Sequence, residues 1–167
     1  MQSRLSLKIY PDPFLSMVCQ PVSEFGQGLA ELGAAMIVAM REHGGVGLAA
    51  NQVGVGLRVV ALAAEACGGE DMVLANPSLS KPLGSSGLEE GCLSLPGVRA
   101  KIAGRAESVM VDYQDVDGVR RSMELSGLGA LCIQHEIDHL DGRTMLDGMS
   151  PLKSSRAKAK LAKARRS

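Results

Sequence analysis

Between positions 25 and 45 apolar residues recur three and four apart. Leu29, Leu32, Met36, Ile37 and Met40 form one stripe of a helix, which Gly44 and Gly45 end. Shorter apolar runs follow: "LRVVALA" (57–63) and "DMVLANP" (71–77) predict strands, the second closed by Asn76-Pro77. "SVMVDYQDVDGVRRSMEL" (108–125) predicts a hairpin that turns near Asp117-Gly118. "LGALCIQHEIDHL" (128–140) predicts a second helix ended by Asp141-Gly142. Ser150-Pro151 is a cap followed by proline at the first helical position, and opens a last helix. Two stretches lack periodicity and read as extended or loop-rich: "PDPFLSMVCQPV" (11–22) and "KPLGSSGLEEGCLSLPGV" (81–98). The glycine-rich "GVGLAANQVGVG" (45–56) looks like backbone that something else approaches closely. The pattern predicts a single α+β domain, its mixed or antiparallel strands arranged around a central helix, with a further helix towards each terminus.

Composition narrows the function. A chain of 167 residues can bury a core of its own. With two Phe, two Tyr and no Trp, that core must be aliphatic, and a nucleic-acid surface built on aromatic stacking is excluded; DNA is not an expected partner. The opening "MQSRLSLKIYPDPF" is interrupted by Arg4, Lys8 and Asp12, so neither a signal peptide nor a membrane span is expected, and the cytoplasm is the expected location. Cys19, Cys67, Cys92 and Cys132 lack paired spacing and read as free thiols or single metal ligands. Formal charge sums to zero but is unevenly placed. Seven of the 18 basic residues and no acidic one lie in 151–167, leaving 11 basic against 18 acidic, a net of −7, in the first 150.

The candidate chemistry lies in "HEIDH" (135–139). His135 and His139, four apart, share one helix face and can address one ion. Glu136, about 100° further round, is placed to work on water beside that ion. A hydrolytic site of this kind needs a third protein ligand. The downstream position for a third histidine holds Met145, and no glutamate follows Glu136, so the ligand lies upstream. Candidates are Cys92, Cys132, His43, Glu89 and Glu90, with Cys19 and Cys67 further out. Cys132 and His139 are seven apart, about 10.5 Å along a helix, which is strained for bonds of about 2.0–2.3 Å to one ion. His43 reads as an end-of-helix residue. Cys92, in a tight loop after Gly91, fits best, and a thiolate would soften the site and reduce its net charge.

Three segments, "GVGLAANQ" (45–52), "EGCLS" (90–94) and "QHEIDH" (134–139), resemble in order and separation the three signature motifs of the peptide deformylases. The resemblance runs from about "YPDP" to "SPLK". It implies that residues 1–150 are the catalytic part, and that 151–167 form a basic helical tail of the same domain. It implies one divalent ion per chain on Cys92, His135 and His139, normally Fe2+, with Ni2+, Co2+ or Zn2+ as replacements. It implies removal of formate from the formyl-methionine of nascent polypeptides. Glu136 would take a proton from the attacking water and return it to the departing amine. The Gln52 amide and the Leu93 backbone N–H would donate to the oxyanion. The Gly45-Val46-Gly47 edge and Gly91 would meet the extended peptide. Val46, Leu88, Leu128, Leu131 and Cys132 would form an apolar pocket for the methionine. Arg99 would lie near the bound peptide, and Arg105 would pair with Glu90. Leu128-Gly129 stands where the family often has two bulky apolar residues, so the glycine is expected to loosen the pocket or the helix start. The basic tail reads either as a solvated end or as a ribosome-binding helix that contacts RNA phosphates. Two rival functions use the same residues: a HExxH metallopeptidase, and a non-catalytic metal-containing module that binds the ribosome.

Overall fold

The computed structural model describes residues 4–166. Its strands are β1 (Gly47–Ala49), β2 (Val59–Leu62), β3 (Met72–Leu83), β4 (Glu90–Cys92), β5 (Leu95–Ala100), β6 (Ser108–Gln114) and β7 (Arg120–Ser126). Among the described residues there are four α-helices: α1 (Gln27–Glu42), α2 (Ala64–Cys67), α3 (Leu128–Leu140) and α4 (Pro151–Arg165). Five strands form an antiparallel sheet in the order β1-β2-β3-β6-β7, and β4-β5 is a separate hairpin. The α+β expectation holds, as does the central position of the HExxH helix.

The middle of the sheet is covered on both faces. Val60 and Leu62 of β2 pack with Leu74, Val111, Ile133 and Leu140 on the α3 side. Val59 and Ala61 pack with Met36, Met40 and Leu48 on the α1 side. All four residues of β2 are therefore buried, which is why the sequence shows an unbroken apolar run there instead of alternation. A third cluster joins Leu95 and Val98 of the hairpin to Ile102, Met145, Leu146 and Leu161 of α4. Among the described residues no helix is long and apolar enough to cross a membrane.

Two expectations about breaks in structure are corrected. The strand predicted to stop at Asn76-Pro77 continues to Leu83. The chain passes through a register shift between Ala75 and Ser78, with Asn76 at φ 50°. Asn76 tolerates that left-handed backbone. Its side chain accepts from Val22 N at 2.8 Å and donates to Val22 O at 3.0 Å, which holds the bulge in place. The block at 81–98 is less irregular than expected, since it contains β4 and most of β5.

Gly129 does not loosen the start of α3. A Cβ at this buried position would fall on the Ala66 carbonyl oxygen, so α2 occupies the space that a side chain would take. The tail is a capped helix, largely exposed but tied to the rest of the domain. Ser150 Oγ caps α4 by accepting from Lys153 N at 3.3 Å, and Leu161 is buried beneath it. Lys160 Nζ donates to Gly97 O at 2.6 Å, a second tie between the tail and the hairpin.

Candidate active site

Helix α3 delivers His135 and His139 to one point, because residues four apart share a face. Their Nε2 atoms lie 3.0 Å apart, and Cys92 Sγ is 3.3 Å from His139 Nε2. Cys92 reaches them from the end of β4, just before the two-residue turn into β5. The three candidate ligand atoms lie within 4.8 Å of one another, so Cys92, His135 and His139 fit a single metal ion. One thiolate and two imidazoles are a suitable donor set for a divalent transition metal. Burial holds His139 well below the ordinary histidine range, so it is a neutral ligand in waiting. At His135 burial acts the same way, but hydrogen bonds to Cys92 and Glu90 outweigh it and raise the group.

Behind His135 stands a buried ionic chain. Glu90 Oε1 accepts from His135 Nδ1 at 2.9 Å. Arg105 grips Glu90 with two parallel hydrogen bonds of 2.9 Å and reaches Asp138 Oδ2 at 2.6 Å. Burial opposes ionisation of Glu90, but the bonds from His135 and Arg105 hold its carboxyl down at about 2. Glu90, an upstream ligand candidate, is thus the support of a ligand, and its pairing with Arg105 is as expected. Gln134 adds a further tie, accepting from Ala106 N at 2.9 Å and donating to Ala106 O at 3.0 Å.

Glu136 is buried beside the ligands, and burial raises its carboxyl to about 7. Its Oε2 has no hydrogen-bond partner among the described residues. Gln52 sits in a 3-10 turn over Ala50–Val53. Its Oε1 accepts from Ala49 N at 2.9 Å, which turns the amide N–H2 towards Ser94 Oγ at 3.1 Å and Cys92 Sγ at 3.7 Å. Burial pushes the Cys132 thiol well up, so it stays neutral, and it lies outside the ligand group.

An open cavity of about 640 Å³ runs past this centre. Gly45, Val46, Gly47, Gln52, Gly91, Cys92, Leu93, Arg99, Leu128, Leu131, Cys132, His135 and Glu136 line it. Gly47 is required by sterics: a Cβ there would overlap Cys132 Sγ and stand 2.9 Å from Glu136 Oε1. Leu88 is the exception. It is 43% exposed and is not among the lining residues, and its N donates to Ser86 Oγ at 3.3 Å in the segment before β4. His43 caps the C-terminal end of α1 at the cavity mouth, as its helix-end reading required. Sequence reasoning missed Ser94, the hydroxyl that orients Gln52, and Asn51, a buried amide bonded to His139. Ser94 closes the "EGCLS" segment and Asn51 lies inside "GVGLAANQ", so membership of those segments is the signal that could have drawn attention to them.

The comparisons with known proteins agree with this geometry. A family profile described as polypeptide deformylase matches residues 5–155. A peptide deformylase from Legionella pneumophila is 38% identical, with a TM-score of 0.88, covering 98% of this chain and 96% of that one. The peptide deformylase from Thermus thermophilus is 37% identical, with a TM-score of 0.85 and coverage of 94% and 95%. One from Ehrlichia chaffeensis, solved in complex with actinonin, is 34% identical, with a TM-score of 0.90 and 99% of each chain covered. Matched over nearly its whole length, with three donors gathered for one ion, the chain belongs to the polypeptide deformylase family, metal-dependent hydrolases that remove the N-formyl group from nascent polypeptides.

Proposed function

We propose that Cys92, His135 and His139 hold one Fe2+ ion per chain, with Ni2+, Co2+ or Zn2+ as replacements, and that Glu136 moves the proton in deformylation. The observation that carries this reading is the Glu136 carboxyl. It is buried beside the ligand group with an unpartnered oxygen and raised to about 7, where it can both take and give a proton near neutrality. A divalent ion bound there supplies Lewis acidity toward water and toward a carbonyl oxygen.

In this reading Glu136 removes a proton from water as the oxygen attacks the formyl carbon. Charge develops on the formyl oxygen, where Gln52 Nε2 and the Leu93 backbone N–H donate to it. The Ala49 N–H that holds Gln52 Oε1 keeps that donor aimed before substrate arrives. Glu136 then protonates the departing amine.

The peptide binds as an added strand. β1 lies at one edge of the five-stranded sheet and, among the described residues, pairs only with β2, which leaves its outer side for an extended chain. Gly45, Val46 and Gly47 offer that edge, and Gly91 borders it from the hairpin. Val46, Leu128, Leu131 and Cys132 enclose the methionine side chain. Arg99, largely exposed and 3.9 Å from Glu89, is free to turn to the peptide. Actinonin, which the Ehrlichia chaffeensis relative binds, should occupy the same cavity.

The partners follow from the substrate: nascent formyl-methionine chains in the cytoplasm, met at the ribosome through α4. Lys153, Arg156 and Lys158 are exposed along that helix. Changing these three to Gln should weaken ribosome cosedimentation, most at low salt, and make it less sensitive to added salt. Equal cosedimentation would end the ribosome reading.

The reaction is tested by formate release from a formyl-Met tripeptide, using protein purified without oxygen and loaded with Fe2+ or Ni2+. Release that Glu136→Gln abolishes, with metal content unchanged, is the expected result. Cleavage of an internal peptide bond without formate would point to a metallopeptidase. Full activity in Glu136→Gln would remove the carboxyl from the mechanism.

A further inference from the structure

The 3-10 turn over Ala50–Val53 carries two consecutive buried amides facing different partners. Gln52 faces Cys92 and Ser94, whereas Asn51 faces α3. Asn51 Nδ2 donates to the main-chain carbonyl of His139 at 2.5 Å. A carbonyl oxygen accepts only from a donor, so this contact fixes the amide orientation and leaves Oδ1 as an acceptor. That oxygen is buried and has no hydrogen-bond partner among the described residues. The same holds for Nδ1 of His139. If His139 gives Nε2 to an ion, its Nδ1 carries the proton and must donate. A buried acceptor and a buried donor thus stand on two residues already in contact. Buried polar groups are nearly always paired. The other histidine illustrates the rule, since Glu90 receives His135 Nδ1 at 2.9 Å.

We propose that Asn51 is a positioning residue for His139. Its Oδ1 accepts the Nδ1–H of the ligating imidazole through one bridging water, while its Nδ2 holds the His139 main chain. This fixes the tautomer and the aim of a ligand for which the ionic chain behind His135 provides no support. A single turn then serves the site twice, with Gln52 beside the reacting carbonyl and Asn51 behind the metal ligand. The proposal rests on His139 being a ligand.

The test is NMR of the full-length Zn2+-loaded chain with 15N-labelled histidine, which reads the two ring nitrogens of His139 separately. The wild type should show a downfield His139 Nδ1–H that exchanges slowly with solvent. Asn51→Ala should move it upfield, speed its exchange, and lower Zn2+ affinity about 10–100-fold in chelator competition. Asn51→Asp keeps an acceptor and should move the proton further downfield. A His139 Nδ1 resonance that is the same in wild type and both variants overturns the proposal. So does a wild-type proton that exchanges as fast as that of an exposed imidazole, a result that needs no variant. A His139 with no Zn2+ on Nε2 overturns the ligand assignment beneath it, and the 15N shift of Nε2 makes that failure separately visible.

Discussion

Arg105→Leu removes the cation that neutralises Glu90 while leaving an apolar side chain in its place. The Arg105 side chain is 10% exposed and that of Glu90 3%, so the pair is buried and water cannot screen it. An exposed ion pair would be worth about 0–1 kcal/mol. A buried carboxylate that loses its partner costs about 3–5 kcal/mol, a large share of a total stability of about 5–15 kcal/mol. The variant should lose that amount in urea denaturation of the metal-free protein at pH 7. The pair also orients His135 through Glu90, so metal affinity should fall about 10–100-fold in chelator competition. The double variant Glu90→Leu/Arg105→Leu separates the two effects. With both charges gone most of the stability should return, but the metal affinity should not, because His135 has lost its acceptor. A loss under about 1 kcal/mol in Arg105→Leu, or wild-type metal affinity in the double variant, would refute this reasoning.

Acid should reveal the same pair by another route. Glu90 has a folded value of about 2 against 4.5 for the free group, so its contribution is present above pH 4.5 and is lost as pH falls towards 2. That is about 3 kcal/mol, visible as a difference in acid unfolding between wild type and the double variant; identical profiles would contradict it. Gly47→Ala places a methyl group against Cys132 and Glu136, and formate release per folded molecule should fall at least about tenfold, since misplacing a catalytic group is costly. Wild-type kinetics would mean that β1 has room to spare. Gly129→Ala sets a Cβ on the Ala66 carbonyl and should cost about 1–3 kcal/mol in thermal unfolding, whereas an unchanged midpoint would show that α2 packs loosely.

Much of the site was legible because its chemistry is local. His135 and His139 lie four apart on one helix, so helical spacing alone turns both to one point, with Glu136 beside them. Cys92 arrives from a hairpin 43 positions before His135, and no periodicity connects the two; it was found through the motif around it. The Arg105–Glu90 pair was readable the same way, whereas the link from Arg105 to Asp138 was not. The misreadings share one cause, which is contact between distant segments. Asn76-Pro77 is locally a strand terminator, yet Val22 holds it as a bulge. Gly129 is locally a weak helix starter, yet it is the residue that admits the Ala66 backbone. Helix α2 has only four residues, too few to show a hydrophobic period.

The most direct test of the account is X-ray absorption on the chain loaded with one equivalent of Fe2+ or Ni2+ under anaerobic conditions. Cys92, His135 and His139 predict one sulfur at about 2.3 Å and two imidazole nitrogens near 2.1 Å, with the sulfur lost in Cys92→Ser and the shell intact in Glu136→Gln. A shell of nitrogen and oxygen alone, or one that changes when Glu136 is replaced, would contradict the assignment of ligands and base on which the account depends.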